Sequence, residues 1–152
     1  MSGALGTLYG IGLGPGDPEL ITVKGWRLLR SAPVVYVPVA RSGRGSYART
    51  LAAAHVDPRR QRVVELEFAM RGGPDEMAAR WRANAATMLD HLASGQDAAF
   101  LTEGDPMLYS TFVHVVAALL DARPDLPVVV VPGVSSAQAA AAATQGDRKS
   151  VV

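Results

Sequence analysis

Two short stretches of the chain carry the same three residues, Gly-Asp-Pro: "GPGDPE" at positions 14–19 and "TEGDPM" at 102–107. A third stretch, "PGVSS" at 132–136, adds a glycine followed by two hydroxyls. An aspartate before proline can cap the turn that proline starts, or it can accept hydrogen bonds from a ligand. Either pair alone reads as turn and cap chemistry. Two of them, with a Gly-Ser loop beside them, point to a binding cleft if the fold brings the three together.

The first stretch extends backwards into "YGIGLGPGDPELIT", where glycine stands at positions 10, 12, 14 and 16. Glycine-rich loops often cradle phosphate. A dinucleotide fingerprint needs G-x-G-x-x-G running directly into a helix, with an acid closing the second strand. Here the spacing is G-x-G-x-G-x-G, Pro15 and Pro18 intervene, and the second strand ends "YVPVAR" without a carboxylate. A P-loop needs Lys-Ser or Lys-Thr after its last glycine, where this chain has Asp17-Pro18. Both phosphate readings fail. A loop set rich in acceptors (Glu103, Asp105, Ser135, Ser136 and backbone carbonyls) better suits a positively charged ligand. The amino-acid and ribose portions of S-adenosylmethionine meet that description, as do other ligands.

The elements that must position these loops follow from the apolar runs. "TLYGIGL", "PVVYVPV", "QRVVELEF", "DAAFLT" and "LPVVVVPG" read as five strands. Between and after them, "TVKGWRLLRSA", "SYARTLAAAH", "PDEMAARWRANAATMLDHLASG", "MLYSTFVHVVAALLDA" and "SSAQAAAAAT" read as five helices. In the first helix Val23, Trp26, Leu28 and Leu29 form an apolar face. In the third Asp75 is the expected cap and Gly95 the stop. Strict alternation predicts an α/β fold, a mostly parallel five-stranded sheet with helices on both faces. Ligands of such sheets bind outside the carboxyl ends of the strands, which is where all three loops lie.

The composition of the 152-residue chain narrows the rest. Net charge is +1 and no basic run occurs, so nucleic acid is not an expected partner. There is no cysteine, which excludes disulfides and thiolate chemistry, and His55, His91 and His114 are scattered, so no metal site is expected. No apolar stretch reaches membrane-spanning length and no leader pattern is visible, so a cytoplasmic protein is expected.

Three motifs in order, "GIGLGPGDPELITVKG", "LTEGDPMLYST" and "VPGVSSAQAAAA", resemble the tetrapyrrole methylases over most of the chain, from Thr7 to about Thr144. "GDPMLYST" is most similar to members that methylate precorrin-2, or cobalt-precorrin-2, at C-20 in cobalamin biosynthesis. The resemblance implies a homodimeric enzyme of two α/β domains that uses S-adenosylmethionine, with this chain matching the N-terminal domain. It assigns cofactor contacts to Pro15, Glu103, Gly104, Asp105, Leu108, Ser135 and Ser136. Tyr109, Ser110 and Arg41 are weaker candidates for the tetrapyrrole side, and for Tyr109 a core position is the competing expectation. Some members carry an aspartate after the second strand where this chain has Val37, so no catalytic base is transferred. The alternatives left open are a methylase for another ring position and an inactive S-adenosylmethionine- or tetrapyrrole-binding half-protein.

The last six residues, "DRKSVV", fit neither the Ala-rich helix nor the family pattern. The codons gat-cgg-aag-agc-gtc-gtg would encode them and resemble a common sequencing adapter. The expectation is an N-terminal domain over 1–146, a non-native tail over 147–152 and a C-terminal domain that is absent.

Overall fold

A computed structural model describes residues 3–40, 47–68 and 72–144. The five strands are β1 (Leu8–Gly12), β2 (Val34–Ala40), β3 (Arg62–Phe68), β4 (Ala98–Thr102) and β5 (Val128–Val131). The helices are α1 (Val23–Ser31), α2 (Tyr47–Ala53), α3 (Pro74–Ala93), α4 (Phe112–Ala122) and α5 (Ser136–Ala143), with a short 3-10 turn at Pro18–Leu20. The strands form one sheet in the order β3-β2-β4-β1-β5, and every strand pairing in it is parallel.

Parallel strands covered on both faces should be apolar on both faces, and β2 and β4 are. Val34 and Tyr36 of β2, with Ala98 and Phe100 of β4, pack on the side of α3 and α4, against Met88, Leu92, Phe112, Val115 and Leu119. The alternate residues Val35, Val37, Ala99 and Leu101 pack on the other side, against Leu29 and Ala32 at the α1 end and Leu51 and Ala52 of α2. Tyr36 is fully buried, and its hydroxyl is hydrogen-bonded to His91 Nδ1 at 2.8 Å. Burial pushes that phenol well above the ordinary tyrosine range.

The strand order fixes where a ligand can bind. The chain leaves β1 through α1 towards β2, on one side of the sheet, and leaves β4 through α4 towards β5, on the other. β1 and β4 are neighbours, so their outgoing loops separate at their shared carboxyl end. Such a switch point opens a crevice.

Three local expectations need correction. Val23 and Trp26 do not share a buried face with Leu29: Val23 is 83% exposed and Trp26 44%, and the buried residues of α1 are Gly25 and Leu29. Thr22 caps this helix by accepting from Gly25 N at 3.0 Å, and the Arg30 guanidinium lies over the Trp26 ring at the surface. Asp75 is not the cap of α3. Gly73 holds that position without a side-chain bond, Pro74 takes the first helical place, and Asp75 lies inside the first turn, where its charge faces the positive helix end. The helix expected from Met107 begins at Phe112, because residues 105–111 form an irregular loop in which Tyr109 takes a positive φ of 53°.

One buried polar side chain escaped the sequence reading. Gln61 donates from Nε2 to the carbonyls of Leu29 (2.7 Å) and Ala32 (2.8 Å), and its Oε1 accepts from Asp57 N at 3.0 Å. It thereby satisfies the carbonyl end of α1 and holds the turn that leads into β3. Gln61→Met keeps the volume and strips the bonds to the buried Leu29 and Ala32 carbonyls and to Asp57 N. A loss of about 2–4 kcal/mol in unfolding free energy is expected in urea denaturation.

Candidate functional site

At the carboxyl end of β1 and β4 the backbone continues the sheet one step further. Gly14 N donates to Gly104 O (3.4 Å) and Gly104 N to Gly14 O (2.9 Å), an isolated antiparallel bridge between the two Gly-Asp-Pro loops. The third loop closes on the same point. A β-carbon at Gly133 would overlap the Gly104 carbonyl, and one at Gly12 would overlap that carbonyl and lie 2.7 Å from the Gly133 Cα. Three bare backbones therefore meet in one place: the end of β1 at Gly12, the second loop at Gly104 and the third at Gly133. This is the steric reason for Gly12, and Gly14 adds a φ of +81° that side-chain-bearing residues rarely adopt.

The two Gly-Asp-Pro aspartates do different work. Asp17 stays within its own turn, where Oδ1 accepts from Glu19 N at 2.9 Å. Asp105 bridges loops: Oδ1 accepts from Met107 N at 2.8 Å and Oδ2 from Gly133 N at 2.9 Å. It binds the second loop to the third at the point where their glycines touch. Ser135 caps α5 in a reciprocal box, its Oγ accepting from Gln138 N while Gln138 Oε1 accepts from Ser135 N.

A cleft of about 380 Å³ lies over this junction, lined by Pro15, Glu103, Gly104, Asp105, Leu108, Tyr109, Ser135, Ser136 and Ala137. All seven residues assigned to the cofactor by resemblance stand on it, and so does Tyr109. Tyr109 is fully exposed, not a core residue. Ser110 is absent from the lining, and its hydroxyl accepts from Phe112 N at 3.1 Å to start α4. Arg41 lies outside the described residues, as does the tail 147–152.

Among the described residues the lining contains no lysine or arginine, and it offers two carboxylates, two serine hydroxyls and apolar walls from Pro15 and Leu108. Partial desolvation at the cleft lifts the Glu103 carboxyl above its ordinary pKa. These groups suit a cation bearing hydroxyls, and the described residues offer polyphosphate no charged partner. Among the described residues no group of three His, Asp or Glu side chains could hold a metal ion, and no helix is long and apolar enough to cross a membrane.

A second groove, of about 450 Å³, runs beside α2 and is lined by Val37, Ala52, Ala53, Val56, Pro58 and Val63, with Arg49 and Glu65. Those two charges pair with each other at 3.0 Å. Val37 lies within β2, is buried on the side of this groove, and does not line the cleft. Of these two, among the described residues, the smaller cleft draws polar groups from three loops.

An all-parallel sheet with a cleft at its switch point, lined by acceptors from three loops, defines an α/β domain with a candidate ligand site. Residues 7–147 match the family model for tetrapyrrole (corrin/porphyrin) methylases, and the chain belongs to that family. It is 38% identical over 148 residues to the cobalamin biosynthesis protein CobIJ of Mycobacterium bovis, covering 92% of this chain and 28% of that protein. It is 34% identical to the cobalt-precorrin-2 C(20)-methyltransferase of Salmonella typhimurium, covering 90% and 56%. It is also 34% identical to the cobalt-precorrin-4 C(11)-methyltransferase of Priestia megaterium, covering 92% and 47%. Among solved structures, uroporphyrin-III C-methyl transferase from Thermus thermophilus complexed with S-adenyl homocysteine superposes with a TM-score of 0.58. That pair is 31% identical, covering 89% of this chain and 48% of the other. The chain thus spans about 60% or less of the length of each of these proteins.

The loop junction should tolerate little. Asp105→Ala leaves Gly133 N and Met107 N without their acceptor, at a cost of about 1–3 kcal/mol. Asp105→Asn retains one acceptor and should lose less. Thermal unfolding of the two variants beside the parent checks that order.

Proposed function

We propose that this domain binds S-adenosylmethionine in the cleft above the three glycines and belongs to a methyltransferase acting on precorrin-2 or cobalt-precorrin-2 at C-20, in the formation of cobalamin. The observation that supports the reading is the lining itself: acceptors and apolar walls drawn from three loops, with no cation among the described residues. "GDPMLYST" at 104–111 favours C-20. A relative named for C-11 matches at the same identity as one named for C-20, so another ring position is the second reading.

S-adenosylmethionine, when bound, supplies a methyl group on a sulfonium whose charge disappears as the methyl passes to a nucleophilic carbon. The chain's own contribution is to bind and to aim. The Glu103 carboxylate and the hydroxyls of Ser135 and Ser136 offer acceptors to the donor's ammonium and ribose. Pro15 and Leu108 supply apolar walls, and the glycine junction keeps the three loops at fixed separation. Holding two reactants in register can supply up to ~7–11 kcal/mol of a barrier. Tyr109, exposed on the rim with its ring in solvent, is the described residue best placed to meet a flat macrocycle. In this reading the protein acts in the cytoplasm as a homodimer, as the family resemblance implies.

The reading is tested with protein from the complete reading frame, precorrin-2 and donor labelled in the methyl group. Transfer of label to C-20, located by NMR of the product, is expected. Label at another carbon would move the assignment within the family, and no transfer to any reduced tetrapyrrole would overturn it.

The pH dependence follows from Glu103. Its carboxyl must be ionised to attract a cationic ligand, and its pKa is raised. Affinity for S-adenosylhomocysteine, whose ammonium remains charged, should therefore fall as pH drops through that raised value, beginning above the ordinary carboxylate range. Glu103→Gln should weaken binding about 3- to 10-fold at neutral pH and flatten the profile, a modest loss because the group is partly exposed. It should not lower the melting temperature, since the fold disfavours the ionised form. Titration calorimetry across pH 4–8 checks both.

A further inference from the structure

The glycine at position 16 takes no part in the junction of the three loops. Its φ is +150°, and a β-carbon there would run into the hydroxyl of Tyr47 while lying 3.6 Å from the ring carbon that bears it. Tyr47 is the first residue of α2, thirty-two positions away from Pro15 in sequence, and its hydroxyl donates to the Pro15 carbonyl at 3.1 Å. Pro15 has no N–H, so its carbonyl is its one backbone hydrogen-bonding group. Among the described residues, no other hydrogen bond reaches the Pro15–Gly16 segment. The neighbouring bonds hold Gly14 to Gly104 on one side and Asp17 to its own turn on the other.

We propose that Tyr47 is a positioning residue for the cleft. Its hydroxyl holds the Pro15 wall against the ligand, and residue 16 is glycine to leave that hydroxyl room. This rests on the cleft being the site of S-adenosylmethionine, and Tyr47 acts through Pro15 without lining the cleft itself. Its half-exposed ring contributes little to the core, so the contact bears on loop position far more than on folding.

The steric pairing gives a test that a merely structural residue would not pass. Protein from the complete reading frame is titrated with S-adenosylhomocysteine, and melting temperatures are measured in parallel. Tyr47→Phe removes the bond but keeps the ring, and should raise Kd about five-fold with little change in melting temperature. Gly16→Ala should raise Kd further, through the collision and through its φ. Adding Tyr47→Phe to Gly16→Ala should then lower Kd, because the clashing hydroxyl is gone and the remaining ring carbon is at ordinary contact distance. The same substitution thus weakens binding in one background and strengthens it in the other.

Unchanged affinity in Tyr47→Phe overturns the proposal while leaving the reading of the cleft intact, and so does a double variant weaker than Gly16→Ala alone. Failure of the parent protein to bind S-adenosylhomocysteine overturns the reading of the cleft, and the positioning role with it. If Gly16→Ala does not fold, Tyr47→Phe decides alone: a fall in melting temperature with unchanged Kd rejects the proposal, and a higher Kd at unchanged melting temperature supports it.

Discussion

Gly12, Gly104 and Gly133 meet backbone to backbone at the carboxyl end of the sheet, and a β-carbon on Gly12 or Gly133 would fill the space that another of the three occupies. The sheet delivers the first two side by side because β1 and β4 are neighbours in register, with Gly12 opposite Thr102. β5, paired to the other side of β1, brings in the third. Asp105 then ties the second loop to the third through Gly133 N. The cleft stands on that contact. Were the loops farther apart, the groups on its lining would not face one ligand.

The arrangement also explains why a glycine-rich loop here does not serve phosphate. In a phosphate cradle the glycines free successive N–H groups to point at an anion, with a helix N-terminus behind them. In this chain Gly14 N is spent on Gly104 O, and Pro15 and Pro18 supply no N–H. The glycines are bare so that protein can approach protein. The described side chains of the lining are acceptors and apolar walls, which suit a cation bearing hydroxyls.

Much of this was legible in the sequence, for reasons that can be named. The strands were visible as apolar runs, most plainly β2 and β4, whose two faces are both buried, and their alternation with helices implied the topology class. The repeated Gly-Asp-Pro and the Pro-Gly-Val-Ser-Ser loop fell at strand ends, so their convergence followed once the strands were parallel. What was not legible depended on partners distant in the chain. Gln61 reads as a surface residue until Leu29 and Ala32 are seen above it. The exposure of Val23 and Trp26 could not be told from helical spacing alone, since Gly25 takes the buried position between them. The late start of α4 was hidden because "MLYST" has helical spacing, whereas Asp105 and Ser110 draw its N–H groups into turns. Tyr47 carried no motif, and only its contact with Pro15 singles it out.

The most direct test is a crystal structure of the protein with S-adenosylhomocysteine. The account predicts the ligand over the glycine junction, against Pro15, Glu103 to Asp105, Leu108 and Ser135 to Ser136, with no contact to the groove beside α2. Ligand seated in that groove, between Val37 and Val63, or away from all three loops, would contradict it.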